Sequence, residues 1–213
     1  MKLALDIFCG SGSFGNVAKQ KGFEVISLDN RRRKGTCEPT IKSDITELDP
    51  YFFSSLKPSI LWAGLPCDIW SNASGGFHLD NNFNPKTEKA KKHLDIFFKT
   101  IEIIKNTNSK FFFIENPRGK LQHFPPLIDF TKETKSTIYN CTLSSYGFPT
   151  TKPTIIISNF PNLKLLKMDP FGRGHKNKNQ ESFDNMTKVQ RQKTPKKLIE
   201  SIINQVNSNL SSK

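Results

Sequence analysis

A chain of 213 residues, 35% of them hydrophobic, is long enough to bury a sizeable core in one domain and too short for two comfortable ones. Lysine and arginine total 32 against 19 acidic residues, a formal charge of +13, which points to a polyanionic partner, although a lysine-rich codon bias gives the same excess. Four scattered cysteines with no C-x-x-C pair signal neither a disulfide scaffold nor a metal site, and no secretory leader or apolar run of ~18 residues is present, so a reduced, soluble, intracellular protein is expected.

Lys2 to Phe8 reads as a strand and Phe14 to Lys21 as a helix, joined by the turn Asp6-Ile7-Phe8-Cys9-Gly10-Ser11-Gly12-Ser13-Phe14-Gly15. Glycines let the backbone pass close to a ligand, and the helix N-terminus behind them attracts negative groups. The bare pattern suits a nucleotide site or simply a tight strand-to-helix connection. Glu24 to Asp29 is the second strand, and Asp29 falls where doubly wound folds set an acid against a ribose hydroxyl pair. Arg31-Arg32-Arg33-Lys34 reads as a solvated basic turn. A weaker third strand leads to Ser43-Asp44-Ile45, where Asp44 equally suits the cap of a following helix.

Ser59 to Ala63 is a buried strand that runs into Gly64-Leu65-Pro66-Cys67. Proline fixes φ and glycine permits an unusual turn, so Cys67 is held on a stiff corner at the strand's C-terminal end, the edge where open α/β sheets bind ligands. A lone cysteine is more often a small core hydrophobe, and only its company argues otherwise. Ser71 to Pro85, rich in Ser, Asn, Gly and Asp, is expected to be a long irregular loop of the kind that serves as a lid or is disordered. Lys89 to Lys105 carries Leu94, Phe97, Phe98, Ile101 and Ile104 at helical spacing, with a lysine-rich outer face.

Lys110 to Ile114 is apolar apart from its ends, as a central parallel strand buried on both faces should be, and it delivers Glu115-Asn116-Pro117 to the edge that holds Cys67. A short helix after Pro125-Pro126 and strands at Ser136 to Leu143 and Pro153 to Ser158 follow, the last two closing the sheet as a hairpin. Asn159 to Gln190 is polar and basic, and Thr194-Pro195 opens a helix with Leu198, Ile199, Ile202 and Val206 on one face. Asn207 to Lys213 reads as a frayed tail.

Three stretches, Asp6 to Gly15, Gly64 to Cys67 and Phe113 to Pro117, resemble the cytosine-5 DNA methyltransferase family in order and spacing, the family pattern being D-x-F-x-G-x-G-G-F, then G-x-P-C, then E-N-V. Tyr146-Gly147-Phe148-Pro149-Thr150-Thr151-Lys152-Pro153-Thr154 is similar to a fourth element, Y-G-x-P-Q-x-R-x-R, with lysine and threonine in place of its two arginines. The resemblance covers residues 3 to 160 and the last helix. It implies an α/β, Rossmann-like S-adenosylmethionine-dependent methyltransferase fold, mostly parallel, with helices on both faces. Residues 1–160 are then the catalytic domain, 161–193 a short basic target-recognition segment, and 194–213 a C-terminal helix packing back on it.

The same resemblance implies the site. Cys67, Glu115 and Lys152 are the catalytic candidates. Asp6, Phe8, Cys9, Gly10, Ser11, Gly12, Asp29, Asn30, Asp44, Ile45 and Pro66 are expected to hold S-adenosyl-L-methionine, leaving S-adenosyl-L-homocysteine as product. Ser71, Asn116, Arg118, Thr154 and Arg173 are expected at the nucleic acid. Double-stranded DNA is the implied partner, bound by a monomer in the cytoplasm of a bacterial or phage-infected cell, with no membrane and no metal involved. Lys193-Thr194 stand where the family carries a Gly-Asn pair near the cofactor, which raises the idea of a carboxylated donor paired with Lys193.

The chemistry asks for these residue types. Carbon 5 of cytosine is a poor nucleophile until a thiolate adds to carbon 6, and a carboxylic acid of raised pKa relieves the charge that develops at N3. A base in a duplex must first be rotated out, at a cost of a few kcal/mol. The recognition segment of only about 30 residues is too small for its own core, so low sequence specificity follows, with one to three bases read. RNA cytosine methylation, as in tRNA-modifying relatives, and an inactive nucleic-acid-binding paralogue are the alternatives.

Overall fold

The computed structural model describes residues 2–30, 36–166 and 185–212. Its apolar runs form, among the described residues, one seven-stranded sheet: β1 (Lys2–Ile7), β2 (Phe23–Asp29), β3 (Ile41–Lys42), β4 (Ile60–Gly64), β5 (Phe111–Pro117), β6 (Thr137–Thr142) and β7 (Pro153–Ser158), in the order β3-β2-β1-β4-β5-β7-β6. Strands β1 to β5 are parallel, and β7 runs antiparallel to both of its neighbours. The expected hairpin therefore closes the sheet with its second strand inside and its first strand at the edge. This is the mostly parallel architecture that the sequence implies.

Alternate residues of a strand face opposite layers, and both layers are apolar here, which is why the central strands read as continuous hydrophobic runs. Leu5, Ile7, Leu61, Ala63, Phe112 and Ile114 face a layer that includes α2 (Glu88–Asn106) and α3 (Pro125–Glu133). Ala4, Ile60, Trp62, Phe111 and Phe113 face one that includes α1 (Ser13–Gln20) and α5 (Lys196–Ser211). Trp62 stacks on Phe14 with ring centroids 5.1 Å apart and fixes α1 against the sheet. The Thr87 side chain caps α2 through the Ala90 N–H.

Strand β1 pairs with β2 on one side and β4 on the other, so the chain departs from β1 in opposite directions. The crevice at the carboxyl ends of β1 and β4 is the switch point where such sheets bind ligands. Both the glycine-rich turn and the Pro66-Cys67 corner open onto it.

Two expectations need correction. Helix α5 continues to Ser211, where a frayed tail was expected from Asn207. The reason is packing at its far end: Lys2 Nζ donates to Asn207 Oδ1 at 2.8 Å, and Leu210 lies against the core. The stretch from Ser71 to Pro85 is built rather than shapeless. It contains a 3-10 turn over Asn72–Ser74 and a bridge between Leu79 and Pro85, Leu79 is buried, and the Asp80 carboxylate accepts the N–H groups of Asn82 and Asn84. A short α4 (Lys188–Gln192) starts on a capping box made by Thr187 and Gln190. Arg173 and the basic turn Arg31 to Lys34 lie outside the described residues. Among the described residues no helix is long and apolar enough to cross a membrane.

Candidate active site

The β1 end of the crevice is shaped by backbone. Phe8 takes φ 63°, a costly conformation for a bulky side chain, and is held there by its N–H bond to the Leu28 carbonyl at 2.8 Å. The turn that follows is pinned at each step. Gly10 N–H donates to Asp29 Oδ2 at 3.0 Å, Gly12 N–H to the Cys9 carbonyl at 2.7 Å, and Gly15 N–H to Asp6 Oδ2 at 3.1 Å. Gly12, at φ 73°, ends the turn and starts α1.

A single cavity of about 1310 Å³ runs from this turn to the Pro66-Cys67 corner. Asp6, Phe8, Cys9, Gly10, Ser11, Asp29, Asn30, Asp44 and Ile45 line one end. Pro66, Cys67, Ser71, Glu115, Arg118 and Lys152 line the other. Asp6, Cys67 and Lys152, separated in sequence by 61 and then 85 positions, thus share one chamber.

Three of the residues expected in the site do not reach the chamber. Gly12 is buried beneath the turn, which it shapes without lining the cavity. Asn116 is fully buried, and its Nδ2 donates to the Leu65 carbonyl at 2.9 Å. It clamps β5 to the cysteine corner. Thr154 is also fully buried, near the start of β7 where it pairs with Cys141, with its hydroxyl donating to the Lys152 carbonyl. Its position on the inner strand of the hairpin buries it away from the cavity.

The Cys67 end is electrostatically tense. Burial pushes the Glu115 carboxyl up from its ordinary value, and the Lys152 charge opposes this. Glu115 Oε1 is buried without a hydrogen-bond partner. Burial also pushes the Cys67 thiol up, Glu115 adds to the rise, and Lys152 again opposes it. Lys152 is therefore the cation that acts on both groups. Its Nζ donates to the Arg191 carbonyl at 2.9 Å and lies 5.5 Å from the centre of the Phe148 ring, and its φ of 25° marks a strained backbone.

At the other end, partial burial raises the Asp44 carboxyl, but hydrogen bonds from Lys92, Thr46 and Asn30 outweigh it and hold the group at about 2. Asp44 also caps the 3-10 turn Ile45–Glu47 while it lines the cavity.

Several lining residues had no signal in the sequence. His93 and Lys92 come from the polar side of α2, His78 from the 71–85 loop, and Arg191 from the far end of the chain, where Thr194, expected near the cofactor, also lines the cavity. The His93 ring bonds the Pro66 carbonyl while its Nδ1 is buried without a partner, and burial lowers its pKa. Gly119 explains itself only in space. A Cβ there would collide with the Trp70 carbonyl oxygen, beside the Lys120 N–H that bonds the same oxygen at 2.8 Å. Lys193, proposed to pair with a carboxylated donor, is exposed and does not line the cavity, so that idea finds no support.

The family model for C-5 cytosine-specific DNA methylases matches residues 3–209. No curated protein matches the chain by sequence. Among solved structures, the Dnmt2 methyltransferase of S. pombe superposes with a TM-score of 0.54 at 11% identity, over 78% of this chain and 53% of that one. The methyltransferase EhMeth of Entamoeba histolytica gives 0.57 at 14%, over 78% and 55%. A prophage-encoded E. coli protein described as a DNA modification methyltransferase gives 0.52 at 14%, over 74% and 46%. At such identities the likeness speaks for the fold, and the chain spans about half the length of these structures.

Proposed function

We propose, from the premise that this chain belongs to the C-5 cytosine-specific DNA methylase family, that it transfers a methyl group from S-adenosylmethionine to carbon 5 of cytosine in double-stranded DNA through a covalent bond to Cys67. The observation that carries this reading is the shared chamber: a thiol, a buried carboxyl with an unpartnered oxygen and a lysine at one end, and two carboxylates beside apolar walls at the other.

The second end suits the donor. Phe8, Ile45 and Ile96 offer apolar surface for a flat ring, and Asp29 and Asp44 offer acceptors for hydroxyl and amino groups. When bound there, S-adenosylmethionine supplies an electrophilic methyl group. This chain's own residues do the rest. Lys152 favours ionisation of Cys67, whose sulfur adds to carbon 6 of the base. Glu115, whose pKa burial raises, donates to N3 and takes that proton back as carbon 5 attacks the methyl group; the proton on carbon 5 then passes to water as the sulfur is expelled. Asn116 and His93 hold the corner from behind through the carbonyls of Leu65 and Pro66.

The base must leave the duplex to reach this chamber. Phe77, 68% exposed, stands on the loop beside lining residues Ser74 and His78, presented by Gly75 and Gly76 with φ of 56° and 76°. An aromatic so placed can fill the gap in the stack. Phe77→Ala is expected to slow methylation of duplex DNA by roughly tenfold while leaving single-stranded DNA nearly unaffected, as read by label transfer into the two substrates side by side.

Residues 161–193 serve as the target-recognition segment, tied at both ends by the buried Leu163 and Met186. Its small size supports low sequence specificity. The reading is tested by incubating the chain with labelled S-adenosylmethionine and duplex DNA or RNA, then digesting to nucleosides for mass spectrometry. 5-Methyldeoxycytidine in the DNA is expected. Label confined to RNA, or to another atom, overturns it.

A further inference from the structure

We propose that Cys9 and Cys37 form a reversible disulfide and that this modification lowers the chain's affinity for its methyl donor, the second half of the statement resting on the function proposed above. Both cysteines are free, and their sulfurs lie 2.9 Å apart although 28 positions separate them in sequence. A displacement of under about 1 Å brings them to bonding distance. Neither thiol has a part in the methyl-transfer steps.

The pair is embedded in the frame of the glycine-rich turn. Cys37 N–H donates to the Gly10 carbonyl at 3.0 Å, and Gly10 N–H donates in turn to Asp29 Oδ2. Cys9 lines the cavity, as does Thr36 next to Cys37. Cys37 packs so tightly on the turn that a Cβ on Gly12 would sit 2.9 Å from Cys37 Cβ. Drawing the sulfurs together therefore presses the 36–38 segment into the turn. Gly10 and Gly12 have to shift, and the hydrogen bond that sets Asp29 goes with them. The donor end of the chamber loses its shape.

A peroxide is the oxidant class required. The Cys37 sulfur, partly exposed and freed of its proton, attacks one peroxide oxygen; the O–O bond breaks, a sulfenic acid forms, and hydroxide leaves to become water with that proton. The Cys9 sulfur then attacks the Cys37 sulfur. The S–S bond forms as the S–O bond breaks, and the departing hydroxide takes up the Cys9 proton. Two thiols and one peroxide become one disulfide and two waters, the two electrons passing from sulfur to oxygen. Burial raises both thiols, so the reaction should quicken as pH rises.

The test uses the full chain, reduced and then treated with hydrogen peroxide. Peptide mapping by mass spectrometry scores the link, and calorimetric titration with S-adenosylhomocysteine scores the site. Expected are a loss of about 2 Da in a joined Cys9–Cys37 peptide pair and an affinity drop of at least roughly tenfold, both reversed by dithiothreitol. Cys37→Ala should bind as the reduced protein does and ignore peroxide. Separate Cys9 and Cys37 peptides after treatment, a link without loss of affinity, or equal loss in Cys37→Ala would each overturn the proposal. If the reduced chain binds no S-adenosylhomocysteine, the donor reading fails, and the link is judged on the mapping alone.

Discussion

Replacing Glu115 by glutamine should lower kcat/KM for DNA methylation by roughly 10² to 10⁴-fold, the usual weight of a positioned proton donor. The amide keeps the size of the side chain and loses the transferable proton. The variant separates two jobs that the geometry gives to one carboxyl. In the proposed mechanism Glu115 serves N3 of the base as a neutral acid; as an anion, it raises the pKa of Cys67. Glu115→Gln therefore loses turnover while its Cys67 thiol ionises more easily, so alkylation of Cys67 by iodoacetamide should begin at lower pH than in the parent chain.

In the mechanism proposed above, the active form needs the thiolate and the protonated carboxyl together. Both groups are shifted upward by burial, and the product of the two populations gives a bell-shaped kcat/KM profile whichever loses its proton first. The glutamine variant should show a single rise that follows Cys67 ionisation, with no alkaline fall. Cys67→Ala should abolish covalent trapping on 5-fluorocytosine DNA altogether. An unchanged alkaline limb in Glu115→Gln would remove this residue from the proton path.

The sheet was legible because its central strands are buried on both faces, and burial writes continuous apolar runs such as Phe111 to Ile114 into the chain. The corner at Gly64 to Cys67 was legible for a different reason. Its proline fixes φ and marks the turn, whereas Gly64 lies outside the left-handed region and a Cβ there would meet nothing closer than 3.7 Å. Residues whose part is to join distant elements left no such trace. Cys9 and Cys37 look unrelated until Cys37 N–H meets the Gly10 carbonyl, and four scattered cysteines read as no disulfide framework.

Asn116 shows the opposite failure. Sequence placed it beside Glu115 and hence in the site, but successive strand residues point to opposite faces, and it turns inward to the Leu65 carbonyl. The structured part of the 71–85 loop was hidden because one buried residue, Leu79, and one capping acid, Asp80, do the folding inside an otherwise polar composition.

Asp6 carries the largest expected effect on stability. It is 2% exposed, its one recorded bond is from the Gly15 N–H, and burial raises its pKa from 3.8 to about 7, with the Asp29 charge adding to the rise. A carboxyl whose folded pKa exceeds its unfolded value favours folding fully below the unfolded pKa. Between pH 3.8 and about 7 the unfolded chain releases the proton and the folded chain retains it, so this contribution drains away as pH rises. At 1.36 kcal/mol per pKa unit the loss is on the order of 4 kcal/mol by neutral pH. Asp6→Asn keeps an acceptor for Gly15 and has no proton to lose. Denaturant melts at pH 4 and pH 8 should show the parent chain losing several kcal/mol more than the variant across that interval, and the variant the more stable of the two at pH 8. Parallel losses in both would mean that Asp6 is ionised in the folded chain, with a counter-charge or water in the crevice sustaining it.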